Sequence, residues 1–309
     1  MPSSFVATLD GGTLIEMRAA DAFGELGFLV SDSRVTDVFA NGAGEVWVDR
    51  GAGLVREPVL LAESSLRELA VRLVSLGGRH VDEASPCVDV RLFDGIRVHV
   101  VLPPISPSGT LISIRIPSPT RLAVTDQRLL SLVAARANLL ITGAGGSGKT
   151  TLLAALLSLA APTERIVAIE DVAELRVDHP HFVTLEARQA NLEGVGEISL
   201  ARLLREALRM RPDRLVLGEV RGAEVRELLS ALNTGHDGGA GTLHANSLAD
   251  VPARLEALGA LAGMSDLAVA RQAVSAIGAV VHLARVDGVR SVEAIGRLGL
   301  GADGRLVIA

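Results

Sequence analysis

Between an apolar run and a run of helix formers, the chain carries Gly143-Ala144-Gly145-Gly146-Ser147-Gly148-Lys149-Thr150, with the spacing G-x-x-x-x-G-K-T. Few short segments constrain a fold so tightly. Such a loop works only where a buried strand delivers it and a helix begins directly after it, because its backbone N–H groups must converge on phosphate oxygens. Both flanks are present. Asn138 to Thr142 suits a buried parallel strand, and Thr151 to Ala161 is rich in Leu and Ala. Lys149 is also the only lysine among the 30 Lys and Arg residues. A compact ammonium fits inside a loop closed on phosphate, whereas a planar guanidinium does not. The segment therefore marks a nucleoside triphosphate site, with Gly143, Ala144, Gly145, Gly146, Ser147, Gly148, Lys149, Thr150 and Thr151 around the phosphates. Lys149 is expected on the outer oxygens and Thr150 on magnesium.

With 309 residues, 49% of them hydrophobic, the chain can build two cores. Its single cysteine, Cys87, excludes an internal disulfide, suits a reducing cytoplasm and is expected as a small core residue. Met1-Pro2-Ser3-Ser4-Phe5 has no basic segment leading into an apolar one, so no secretory signal is expected. Arg136, Lys149 and Arg271 interrupt the longest apolar runs, and any membrane contact is expected to be peripheral. A net charge of −6 argues against a large nucleic-acid footprint, and six Phe, one Trp and no Tyr leave few platforms for base stacking.

Near Pro117-Ser118-Pro119 the pattern changes from mostly strands to alternating strand and helix, which divides the chain into domains 1–118 and 119–309. In the first, Glu45 to Asp49 reads as a strand, and Ser65-Leu66-Arg67-Glu68 fits a capping box opening a helix to about Leu76. Val88 to Leu92 and Arg97 to Val101 flank Asp94-Gly95, a hairpin signal. Period two sets Val88, Val90 and Leu92 against Asp89 and Arg91, and Ile112, Ile114 and Ile116 against Ser113 and Arg115. Arg91, Arg97 and Arg115 thus fall on polar faces of a small α+β domain, where spacing alone favours solvated surface arginines.

In the second domain, Arg165 to Ile169 is a strand ending in Glu170-Asp171, and Leu215 to Leu217 is a strand ending in Gly218-Glu219. Carboxyl ends of strands are where open α/β sheets bind ligands, and the glycine loop opens on that edge. Carboxylates there can hold magnesium through its waters or orient an attacking water, although each acid alone also fits a helix cap or a turn. Thr234 to Asn246, with four glycines, reads as a loop bending close to a bound group, and places His244 within reach of a γ-phosphate. A metal site from His236 and His244 is the weaker reading, since no cysteine is near. On Leu200 to Met210, Arg202, Arg205 and Arg209 share a helical face, as a solvated stripe or a subunit contact.

Together these segments resemble the type II/IV secretion-system ATPase superfamily, most closely its CpaF/TadA branch of tight-adherence pili. Ile166 to Leu175 looks like the family's acidic box, Leu208 to Gly222 like its Walker B region and Thr234 to Ser247 like its histidine box, and Arg79 to Arg97 is similar too. The resemblance implies a P-loop NTPase (RecA-like) parallel sheet, α/β, with a smaller N-terminal α+β domain that closes over the nucleotide. It implies ATP and Mg2+ as cofactors and hydrolysis of ATP to ADP and phosphate, with Glu170 as general base for water, Glu219 supporting the metal and His244 sensing the γ-phosphate. Arg97 and Arg115, and less firmly Arg91, would close over the phosphates. The implied assembly is a hexameric ring, cytoplasmic and peripheral to the inner membrane, working a pilus or secretion platform protein there without direct nucleic-acid contact. An ATPase of a conjugal DNA-transfer machine and a nucleotide-occupancy scaffold with little turnover are the alternatives. A P-loop GTPase is not, because its guanine-reading Asn-Lys-x-Asp motif needs a second lysine. The link from Pro117 to Asn138 is shorter than in relatives, which leaves the adenine contacts unassigned.

Overall fold

Strict alternation of apolar and polar residues builds the first unit. The computed structural model describes residues 7–8, 20–42, 44–93, 95–117, 121–188, 196–286 and 289–309. Its contacts separate into two units, whose described parts are 20–117 and, second, 7–8 with 121–309. In the first unit, β1 (Asp37–Asn41), β2 (Val46–Asp49), β3 (Leu54–Arg56), β4 (Cys87–Leu92), β5 (Ile96–Val101) and β6 (Leu111–Arg115) form an antiparallel sheet of order β3-β2-β1-β6-β5-β4. One face packs Val38, Val48, Val90, Val98, Val100, Ile112 and Ile114 against Leu66, Leu69 and Leu73 of helix α1 (Glu63–Leu76).

Two local expectations need correction here. Helix α1 starts at Glu63, with Ala62 as its uncapped N-cap, so Ser65 lies inside the first turn and forms no capping box. Glu63 is drawn into the helix by its carboxylate, which accepts the Thr110 N–H at 3.0 Å and the Thr110 hydroxyl at 2.7 Å. Cys87 is exposed and not a core residue, because the parity that buries Val88, Val90 and Leu92 turns the first residue of this edge strand outward. Asp94, Ser118 and Pro119, on which the expected hairpin turn and domain break rest, lie outside the described residues, as do Asp287 and Gly288.

The second unit is an α/β sheet. Its elements are α2 (Gln127–Ala134), β7 (Leu139–Gly143), α3 (Lys149–Leu157), β8 (Ile166–Glu170), β9 (Phe182–Glu186), α4 (Leu200–Ala207), β10 (Arg214–Leu217), α5 (Val225–Leu232), β11 (Ala240–His244), α6 (Val251–Leu261), α7 (Asp266–Ala276), β12 (Ala279–Val286), β13 (Val289–Gly296), β14 (Leu298–Leu300) and β15 (Leu306–Ile308). The seven-stranded sheet runs β9-β8-β10-β11-β7-β12-β13, parallel throughout except for the antiparallel β12–β13 hairpin. Every residue of β7, β8 and β10 is buried, as expected of strands covered on both faces. Successive residues feed opposite cores. Leu140, Val167, Ile169 and Leu215 pack with α4, α5, α6 and α7, while Leu139, Ile141, Ala168 and Val216 pack with α2 and α3.

Strand β11 departs from the expected glycine loop, since Ala240 to His244 pairs β10 on one side and β7 on the other as a central strand. Its glycine is a packing residue: a Cβ on Gly241 would meet Leu228 at 3.3 Å and Val220 at 3.4 Å. The P-loop strand and helix also shift slightly. Asn138 stays outside β7, its amide donating to Ala276 O at 2.9 Å and accepting from Gly239 N at 2.9 Å, and α3 ends at Leu157. No helix among the described residues is long and apolar enough to cross a membrane.

Candidate nucleotide site

The loop from Gly143 to Gly148 turns at the carboxyl end of β7 into the N-terminus of α3. Gly143 and Gly148 sit at φ 149° and 95°, in the region open to glycine, and a Cβ on Gly143 would come within 2.5 Å of the Leu283 carbonyl. Lys149 is buried, and its ammonium donates to Gly143 O and Ala144 O at 2.9 Å each. Ser147 is buried with its hydroxyl against the loop, while Thr150 and Thr151 open α3. The N–H groups of a helix start, together with a buried ammonium, make a concentrated positive field for phosphate.

Two neighbouring strands bring the acids to this edge. Glu170 is the last residue of β8 and 3% exposed, and its Oε1 accepts the Glu174 and Leu175 N–H groups at 2.8 and 3.0 Å. Its side chain lies across Gly218, where a Cβ would meet Glu170 Cγ at 2.7 Å. Gly218 in turn is pinned, donating to Ile169 O at 2.8 Å and accepting from the buried Thr242 hydroxyl at 2.6 Å.

Glu219 follows and sits in a chain of charges. Its Oε1 is 3.1 Å from His244 Nε2, His244 Nδ1 is 3.3 Å from Lys149 Nζ, and its Oε2 accepts from Arg221 at 2.7 Å. Arg221 reaches on to Asp171 at 3.4 Å. Burial pushes the Glu219 carboxyl up, but the Arg221 hydrogen bond and the charges of Arg221, of His244 at the acid pH where it is protonated, and of Lys149 outweigh it and hold it below the usual carboxylate range. Burial, then the Lys149 ammonium, hold the His244 imidazole below its ordinary value, so it is largely neutral near pH 7. His236 lies at the other end of β11 and bonds the Ala231 carbonyl, so the structure does not bring the two histidines together. Arg221 was not singled out from the sequence. Its signal was available in the Glu219-Val220-Arg221 spacing, and Glu224 holds its main chain by accepting the Arg221 and Gly222 N–H groups at 2.6 and 2.8 Å.

A second group that sequence reasoning missed comes from the β12–β13 hairpin. Arg285 and Arg290 are directly opposed across it. The Arg290 Nε donates to Gly146 O at 3.1 Å, and an Arg285 guanidinium nitrogen lies 3.9 Å from where a Gly146 Cβ would be. Nothing in local sequence announces this contact, because the parallel pairing of β7 with β12 creates it.

Within the first unit, Arg97 pairs in register with both Arg91 and Arg115, and Arg115 with Asp37. Three guanidinium groups thus lie in one row on the sheet face opposite the core.

The strand order, the alternating cores and the glycine loop at the carboxyl edge define a P-loop protein of RecA-like fold. The same fold is seen in the crystal structure of the pilus retraction motor PilT with bound ADP, at a TM-score of 0.60 and 22% identity, over 96% of this chain and 83% of that one. Residues 22–288 match the type II/IV secretion system protein family, and the chain belongs to it. A putative conjugal transfer protein of Mycobacterium tuberculosis is 49% identical over 276 residues, which cover 83% of this chain and 78% of that protein. Protein VirB11 of Agrobacterium fabrum is 30% identical over 253 residues, covering 70% and 73% of the two chains.

Proposed function

We propose that this chain is a Mg2+-dependent ATPase that powers a membrane-associated type II/IV machine of the tight-adherence pilus kind, as a hexameric ring on the cytoplasmic side of the inner membrane. The observation that carries the reading is the convergence, on one sheet edge, of Lys149 in the loop, the Glu219–His244 pair beside it and the buried Glu170 one strand further on. Thr150 and Glu219 offer a hydroxyl and a carboxylate, the hard oxygen donors that suit magnesium held mainly by phosphates and water. Bound there, magnesium would offset charge on the transferred phosphoryl group. Lys149 releases its hold on the Gly143 and Ala144 carbonyls to meet the outer phosphates. Glu170, fixed by two main-chain N–H groups and by Gly218, orients the attacking water. His244, neutral and able to donate from one ring nitrogen, reads the γ-phosphate. The arginine row of the first unit supports a further role: Arg97 and Arg115 close over the phosphates and complete the site.

The test separates the two acids. Glu170→Gln keeps ATP binding and loses turnover by about 100-fold or more, the mark of a group acting in the transition state. If Glu219→Gln alone stops turnover while Glu170→Gln is nearly normal, the base has been placed on the wrong strand. A second reading, the ATPase of a conjugal DNA-transfer machine, is favoured by the 49% identity to the mycobacterial protein of that description. The two readings share the site and differ in the membrane protein engaged, which crosslinking in cells identifies.

A further inference from the structure

We propose that Arg285 and Arg290, on the β12–β13 hairpin, form a second cationic wall of the nucleotide site and grip the phosphate chain on the side of the loop away from His244. The inference rests on reading the P-loop as the nucleotide site, and deepens it. Three observations carry it. First, both side chains project onto the loop. Leu283 sits level with Gly143 in the β7–β12 register, and period two puts Arg285 on the same face two residues further on, past the strand edge where the loop rises. Arg290 donates to Gly146 O at 3.1 Å, and a Cβ on Gly148 would lie 3.2 Å from Arg290 Cδ. Second, the two residues are directly opposed across an antiparallel pair, so one anion can meet both side chains. Third, both residues are exposed, so a ligand can reach them.

The loop amides and Lys149 line one wall and the hairpin the other. Guanidinium suits this outer wall because its planar fork presents two N–H groups to phosphate oxygens, where the enclosed position inside the loop needs the smaller ammonium. Since the pair faces Gly146 and Gly148, and not the His244–Glu219 side, it grips the phosphates that ADP retains. ATP and ADP should depend on it equally.

The experiment measures binding of fluorescent methylanthraniloyl-ATP and -ADP to the full chain. Each of Arg285→Ala and Arg290→Ala is expected to weaken both nucleotides by about tenfold, as for one lost charge-assisted hydrogen bond, and Arg290→Lys to recover part of the loss. Val286→Ser, an exposed neighbour on the same strand, should bind as the wild type does. Inorganic tripolyphosphate should displace the labelled ATP from the wild type, and about tenfold less well from Arg290→Ala. Binding of both nucleotides by the arginine variants within twofold of wild type overturns the proposal. So does an equal loss in Val286→Ser, which would make hairpin integrity the cause. Unchanged competition by tripolyphosphate would move the contact to the base and overturn the phosphate assignment. A wild-type chain that binds neither nucleotide would instead overturn the proposed function on which the inference rests.

Discussion

His282 shows how a single buried residue ties the loop strand to its surroundings. It is 2% exposed on β12, with Nδ1 2.8 Å from the Thr142 hydroxyl just before the glycine loop and Nε2 3.6 Å from Glu293. Burial, with a smaller push from Lys149, holds its pKa below the ordinary 6.5, against the opposite pull of Glu293, the Asn246 main chain and Asp250. The folded chain therefore keeps this ring neutral at a pH where the unfolded chain takes up a proton. Stability should fall as pH drops below about 6.5 and level off once the folded ring also titrates. Denaturant unfolding at pH 7.5 and 5.5 checks this, and His282→Asn should be less stable overall but lose less between the two pH values. An unchanged pH dependence in the variant would contradict the assignment. The same residue marks a limit of sequence reading. A histidine in Val-Val-His-Leu gives no hint of its partners, which lie on β7 and β13.

At the scale of elements, the informative object is a row of side chains across strands. Arg91, Arg97 and Arg115 come from β4, β5 and β6, and in-register pairing aligns them. Asp37 stands in register with Arg115 at one end of the row, and the role proposed for Arg97 and Arg115 is contact with the phosphates. Arg97→Ala and Arg115→Ala are expected to leave ATP affinity largely intact and lower turnover by about 10-fold to 1000-fold, the range for one transition-state donor. Steady-state phosphate release alongside equilibrium binding checks this, and unchanged turnover in both variants would return the arginines to the surface. The parity that placed these residues on a polar face was legible from Val88-Asp89-Val90-Arg91 and Ile112-Ser113-Ile114-Arg115, because period two is a local property. Their alignment was not, since it depends on register between strands. Locality also explains the other outcomes. The loop was legible because Gly143 to Thr150 is contiguous, and Glu170 and Glu219 because each ends an apolar run. Strand β11 was misread because Gly238, Gly239 and Gly241 signal a loop locally, whereas Gly241 serves close packing under Leu228. The hairpin arginines stayed hidden because some 140 residues separate them from Gly146, bridged only by the β7–β12 pairing.

For the whole molecule, charge and composition bear on what the proposed ATPase works against. The net charge of −6 and the scarcity of aromatic residues predict that single-stranded or duplex DNA leaves the hydrolysis rate nearly unchanged at moderate salt. Saturable, salt-sensitive stimulation by DNA would instead support direct work on nucleic acid. The proposed hydrolysis depends on one group above all: the only lysine of the chain, buried in the loop with its ammonium on the Gly143 and Ala144 carbonyls and beside His244. The most direct measurement is therefore phosphate release from ATP by the purified full chain, wild type against Lys149→Ala, with and without magnesium. Magnesium-dependent hydrolysis that falls by about 100-fold or more in the variant is the predicted result, since the ammonium offsets charge that develops in the transition state. Hydrolysis by Lys149→Ala near the wild-type rate would contradict it.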